Sequence, residues 1–167
     1  ADVELVPVIY LANTSQTLVC DPSVPVKSVS DLVTYAKSHD MSYASGGKGV
    51  PGHLAAEMFL AATGLRMTHV PYNGPNAAVQ DMIEGKVQCG FLSTAVVMPH
   101  VKSGKLNGLA VSTAKRSPSA MELPTVSEAG IAGYEATFGD LLLAPKGTPP
   151  QVLAALNEAI GAVLAQP

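Results

Sequence analysis

The sequence predicts an α/β fold, a mostly parallel sheet flanked by helices. Three observations lead there. Short apolar runs alternate with segments of helical spacing from Leu18 to Ser112, the pattern of strand–helix units layered on one sheet. Glycine-rich turns sit between the end of one apolar run and the start of the next helix, and this design recurs at Ser45–Gly49 and Asn73–Gly74. The chain has 167 residues, 47% hydrophobic and only 14% charged, enough to bury a core and unlike a disordered tail.

Taken in order, Glu4–Ala12 and Gln16–Cys20 read as extended, with Asn13-Thr14-Ser15 as a break. Pro22 and Pro25 make Asp21–Val26 a loop. Ser28 then caps a helix, with Asp31 three residues on and an apolar stripe of Leu32, Val33, Tyr35 and Ala36 ending near His39. A strand at Met41–Ala44, the glycine loop, and a helix at Leu54–Ala62 closed by Gly64 follow. Met67–Tyr72 is the next strand, and Pro75 suits the first turn of a helix at Ala77–Glu84 stopped by Gly85. Val87–Leu92 is a third strand of this kind. Ser93-Thr94 caps a helix over Ala95–Ser103, in which Pro99 predicts a kink or a restart. Leu106–Ser112 is a fourth strand, Lys115–Pro124 a proline-bounded loop, and Thr125–Ala129 one helical turn. Glu135–Phe138 and Leu141–Ala144 are extended, and Thr148-Pro149-Pro150 opens a final helix through Leu164.

Composition narrows the function classes. Aromatics are 5%, Trp is absent and the net charge is −3, which argues against stacking on single-stranded nucleic acid or binding a polyanion. Between residues 41 and 121, seven bases face three acids, a field that favours a small anion. No apolar run of membrane-spanning length occurs. Ala1-Asp2-Val3-Glu4 reads as the start of a mature or excised chain, and the last helix as cut at Pro167. Cys20 and Cys89 read as buried free thiols, and their spacing lends a disulfide no support.

The loop Ser45-Gly46-Gly47-Lys48-Gly49 is the best candidate site. Flexible backbone there can turn several N–H groups toward one point, and the following helix adds its unpaired first-turn amides and the positive end of its dipole. Such a place holds a phosphate or carboxylate without a charged side chain. Gly47 to Gly52 satisfies G-x-G-x-x-G, yet the next strand ends Pro71-Tyr72-Asn73 where a dinucleotide site wants an acid. No Gly-Lys-Ser/Thr follows for a Walker loop, and Ser45 lacks the glycine two residues back that a nucleophile elbow requires. His39, His53, His69 and His100 show no metal-ligand spacing, and no cofactor is called for. Tyr72–Gly74 and Ser93-Thr94 also lie at strand C-termini. Each loop alone reads as a tight turn; together they favour a shared site, because these ends of a parallel sheet lie on one side.

These segments resemble the substrate-binding proteins of tripartite tricarboxylate transporters, the Bug or TctC receptors. The resemblance runs nearly end to end. It is carried by Val24–Ser28, Tyr43–Gly49 with His53-Leu54-Ala55, His69–Gly74, Pro99–Leu106 and Leu109–Ser112, then by Lys115–Pro118, Leu123–Gly130 and Leu143–Pro149. It implies one lobe of a periplasmic-binding-protein clamp, type II-like: a first-lobe remnant and crossing strand at 1–17, the second lobe at 18–137, and a crossing strand and first-lobe helix at 138–167. It further implies a non-catalytic, periplasmic receptor that passes a small carboxylate to membrane transporter subunits, with no membrane insertion of its own. By resemblance Ser45, Gly46, Gly47, Lys48 and Gly49 surround one carboxylate. Tyr72, Asn73 and Gly74 form the neighbouring wall, Ser93 and Thr94 close the third side, and Phe138 flanks the hinge. Two departures stand out: Lys48 replaces an uncharged residue such as Asn, and Leu92 replaces a common Asp. Both make the site less negative and suit a second ligand carboxylate. The other readings are an isolated α/β lobe that self-associates through apolar surface near 4–11 and 141–164, and a nucleotide-using α/β enzyme.

Overall fold

In the computed structural model, which describes residues 4–166, the chain divides into two compact units, Ser15–Thr137 and Ala1–Thr14 with Phe138–Pro167. The expectations that rest on residues 1–3 and on Pro167 lie outside the described residues.

Strand β1 (Leu5–Thr14) belongs to the smaller unit and pairs antiparallel with the strand at Phe138–Pro145, with register shifts between Pro7 and Ile9 and between Tyr10 and Ala12. The larger unit opens with β2 (Gln16–Cys20), fully buried along its length. Helix α1 (Val29–Ala36) starts where the sequence places it. Ser28 Oγ accepts the Asp31 N–H at 3.0 Å, and the Asp31 carboxylate accepts the Lys27 N–H at 3.1 Å. The Lys27 N–H foremost, and then the neighbouring Ser28 hydroxyl, hold the Asp31 carboxyl below its usual range. Val29, Leu32 and Ala36 form its buried stripe.

There follow β3 (Ser42–Ser45), α2 (Pro51–Thr63), β4 (Thr68–Pro71), α3 (Pro75–Ile83), β5 (Cys89–Ser93), α4 (Thr94–Lys102) and β6 (Asn107–Val111). The sheet order is β4-β3-β5-β2-β6. β3 runs parallel to β4 and β5, whereas β2 runs antiparallel to its neighbours β5 and β6. Four strands thus point one way with β2 reversed among them. Helices cover both faces. On one, Val19, Ala44 and Leu92 pack with Ala78, Val79 and Met82 of α3 and Val97 of α4. On the other, Leu18, Tyr43 and Phe91 surround one small cavity with Leu32 of α1 and Ala56 and Phe59 of α2. Phe91 and Tyr134 stack at 6.1 Å, Phe59 meets Phe91 tilted at 5.8 Å and Tyr134 edge-on at 6.3 Å, and the Tyr134 hydroxyl donates to the Ala55 carbonyl at 2.8 Å.

The predicted helices begin late by two or three residues at α2 and α3, because Pro51 and Pro75 each take the first helical position. Pro99 produces no restart: α4 continues through it on an exposed face. The loop before residue 124 contains one 3₁₀ turn, Pro118–Ala120. Of the two pieces expected to be extended, Glu135–Phe138 is irregular over residues 135–137, and Phe138 joins Leu141–Ala144 in the single strand β7 (Phe138–Pro145). In the smaller unit α5 (Pro150–Leu164) lies against β1, where Asn157 donates to the Val8 carbonyl at 2.7 Å. Leu141, Leu143, Val152, Leu156 and Val163 of this unit are exposed, the apolar surface expected of it.

Gly52 explains how α2 seats on the sheet. A Cβ there would stand 2.1 Å from the Phe91 carbonyl oxygen of β5, so only a bare backbone permits this approach. Gly52→Ala is expected to destabilise the larger unit by about 2–3 kcal/mol through overpacking. Urea unfolding followed by circular dichroism checks this, and a change within about 0.5 kcal/mol would refute the contact.

Candidate functional site

The parallel strands β3, β4 and β5 end at Ser45, Pro71 and Ser93, and α2, α3 and α4 start beyond them. The three loops therefore share one side of the sheet. The first two are stitched together by backbone bonds. Tyr72 N–H donates to the Ser45 carbonyl and Gly74 N–H to the Gly46 carbonyl, both at 3.0 Å. Gly46 lies so close to the start of α3 that a Cβ would reach 3.3 Å from Pro75 N. Gly74, at φ 103°, turns the chain into α3 in a region closed to side chains.

Ser45 is wholly buried. Its Oγ lies 2.8 Å from the Gly47 carbonyl, 2.7 Å from His69 Nε2, and 3.2 Å from the Gly47 N–H that donates to it. One assignment satisfies all three: the hydroxyl donates to the Gly47 carbonyl and accepts from Gly47 N–H and from His69 Nε2–H. Ser45 thus shapes the loop from inside. His53, on the first turn of α2, holds its other end, since Nδ1 accepts the Gly49 N–H at 2.9 Å. That leaves the proton on Nε2, facing Glu57 Oε1 at 3.7 Å.

The two imidazoles stack at 4.1 Å, and Tyr43 stacks on His69 at 4.8 Å with its hydroxyl donated to Glu57. Burial first, and that hydrogen bond second, push the Tyr43 phenol well above its usual range. The His69 imidazole is pushed below its usual value by desolvation, then by His53 and Lys48, against an opposing pull from Glu57.

The expected donors divide accordingly. The amides of Tyr72, Gly74, Gly47 and Gly49 donate to the chain's own acceptors. Those bonds leave the Lys48 and Asn73 amides, together with the first-turn amides of Gly52 and His53 in α2 and Asn76 and Ala77 in α3, which have no partner inside their helices. Lys48 is exposed and forms none of the ion pairs found among the described residues. Tyr72 points its hydroxyl at Asp81 Oδ2, 3.1 Å away, and burial followed by this bond raises its phenol. Asp81 in turn pairs with Lys86 at 3.0 Å.

At the third loop Ser93 is half-buried and stands at the N-cap position of α4 without a side-chain bond to it, while Thr94 is 3% exposed. Thr94 Oγ1 lies 2.7 Å from Ser15 Oγ and 2.9 Å from Thr17 Oγ1 and donates to the Ser15 carbonyl, and its N–H donates there too. Thr94 is therefore a joint between α4 and β2. Phe138 is in the smaller unit, opening β7 opposite Thr14. Sequence reading missed Ser15 and Ser117, half-buried hydroxyls 3.3 Å apart beside Thr94, and the histidine stack. Ser15 had a faint signal in its break-forming triplet. His53 and His69 had none, being sixteen residues apart in sequence.

The depressed His69 value fixes the sign of a pH effect. The folded chain binds this proton less readily than the unfolded one, so its contribution is full above the unfolded value near 6.5 and is lost as pH falls through the window below it. The melting temperature should therefore fall from pH 7.5 to pH 5, and His69→Gln should flatten that slope. An equal slope in both proteins would remove the role given to His69.

The chain as a whole has counterparts among known proteins. Residues 2–167 match the model of the tripartite tricarboxylate transporter family receptor. The chain is 31% identical to protein BugT of Bordetella pertussis over 96% of its own length and 50% of that protein. Among solved structures, a Rhodopseudomonas palustris protein with adipate has a TM-score of 0.91 at 36% identity, covering 98% of this chain and 56% of the other. MatC of the same organism with bound malate has a TM-score of 0.87 at 28% identity, covering 97% and 56%. The chain spans about half the length of these relatives. Its larger unit has the mixed α/β architecture of a periplasmic-binding-protein lobe. With the family model matched from residue 2 to the end and the fold shared throughout, the chain belongs to the tripartite tricarboxylate transporter receptors.

Proposed function

We propose that the chain is the ligand-binding lobe of a periplasmic receptor that captures a small di- or tricarboxylate and delivers it to the membrane subunits of a tripartite transporter, without making or breaking a bond. One observation carries this reading: three helix N-termini rise from adjacent parallel strands on one side of the sheet, with the loops of two of them stitched together. Positive dipole ends and unpaired first-turn amides in such a cluster suit an anion. The relatives solved with adipate and malate support a carboxylate as that anion.

Ser93, Asn73 and the amide of Lys48 supply neutral donors. The Lys48 ammonium supplies a charge for a second carboxylate. Ser45 and Thr94 act one step back, holding the loops in shape. A buried Ser45 that already serves its own loop has no free hydroxyl to attack a substrate, which favours capture over catalysis.

Thermal-shift measurements with adipate, malate and citrate test this on the present chain and on a chain of full receptor length. A dicarboxylate at about a hundred times its Kd should stabilise the receptor-length chain by about 2.7 kcal/mol. Lys48→Ala should weaken dicarboxylates roughly fivefold, about 1 kcal/mol, and leave monocarboxylates unchanged. No shift with any carboxylate in either chain would defeat the proposal.

A further inference from the structure

Cys20 ends β2 and Cys89 begins β5, and the two are direct partners in that antiparallel pair. Antiparallel partners alternate between wide, hydrogen-bonded pairs and narrow, non-hydrogen-bonded ones with Cα atoms about 4.5 Å apart. The flanking bonds settle which kind this is. Asp21 N–H donates to the Gln88 carbonyl at 2.9 Å, one step beyond, and Thr94 N–H donates to the Ser15 carbonyl at the far end of the same ladder. Ser15/Thr94 and Asp21/Gln88 are thus hydrogen-bonded pairs, and the alternation puts Cys20/Cys89 in a narrow one. A Cα separation of about 4.5 Å lies at the short end of the range a disulfide spans. Both side chains leave the sheet on the same face as Leu18 and Phe91, since these lie two residues from each cysteine along its strand.

We infer that Cys20 and Cys89 form a cross-strand disulfide site, closed during folding by exchange with a small or protein disulfide. The first cysteine, as thiolate, displaces one sulfur of the oxidant and forms a mixed disulfide. The second displaces that oxidant sulfur and completes the Cys20–Cys89 bond. The chain loses two hydrogens, and the oxidant disulfide leaves as two thiols.

Timing follows from burial. Cys20 is 0% and Cys89 2% exposed. The hydrogen bond to Cys89, then desolvation, push the Cys20 thiol well up, so in the folded chain both sulfurs lack access to an oxidant and Cys20 lacks the thiolate for exchange. Oxidation belongs to the stage when β2 and β5 first pair. The closed ring encloses α1, β3, α2, β4 and α3, and with them both glycine loops, while the bond lies at the strand ends opposite the carboxylate loops. The extracytoplasmic placement proposed above supplies the oxidising surroundings; the pairing geometry stands without it.

The test refolds the reduced, denatured chain in a mixture of reduced and oxidised glutathione, then denatures it in N-ethylmaleimide for mass spectrometry. The expected product is two hydrogens lighter than the dithiol, carries no maleimide, and yields one peptide pair joined through Cys20 and Cys89. Its melting temperature should drop by roughly 5–15 °C on reduction. Cys20→Ser should leave Cys89 open to maleimide or glutathione. Two maleimides on the refolded wild-type chain, or glutathione retained on one cysteine, would overturn the inference. A second arm compares chain exported to the periplasm with chain kept in the cytosol. The linked form is expected only in the exported sample. A chain that links on refolding but stays a dithiol after export would overturn the assignment of the compartment and leave the pairing intact.

Discussion

Ser45 is the constraint on which the site end of the larger unit depends. Its carbonyl accepts the Tyr72 amide and so holds the β4–α3 loop to the β3–α2 loop. Its hydroxyl holds Gly47 from both sides and receives His69 from β4. One buried side chain thereby fixes two loops and an imidazole, in a place where water cannot substitute for a lost partner. The glycines around it would otherwise sample many conformations, and an anion would have to organise them at the cost of its own binding energy. A loop set in advance by Ser45 and His53 leaves the remaining amides already directed.

The histidines extend that support. His53 Nδ1 accepts the Gly49 N–H, and its ring stacks face to face on His69. Glu57 backs the pair from the far side, taking the Tyr43 hydroxyl and facing His53 Nε2. The stack props the glycine loop from beneath its far end.

Local features were the ones the sequence disclosed. The Ser28–Asp31 cap, the glycine stops at Gly64 and Gly85, and the glycine loop before α2 follow from residue type and spacing alone, and each stands where expected. The helices start two or three residues before Leu54 and Ala77, because Pro51 and Pro75 each serve as the first helical residue. What stayed hidden is non-local. Nothing in Gln16–Cys20 states that it runs against its neighbours, and that reversal alone brings Ser15 to Thr94 and Cys20 to Cys89. Likewise Ser45, Gly74 and Tyr72 are visible as loop residues, but whether their polar groups face a ligand or one another depends on how close two loops come. The resemblance to a receptor family named the candidate loops; it could not apportion their donors.

The reversal of β2 also governs how the larger unit is strung on the chain. Ser112 gives its amide to the Gln16 carbonyl, takes the Gln16 amide on its hydroxyl, and bonds both polar groups of Ala136. The points where the backbone enters and leaves this unit are therefore neighbours tied through one serine. Residues 15–137 behave as an insertion with touching ends, a portion that a short splice could join into a circle or that could be transplanted whole into another scaffold at a single tight turn.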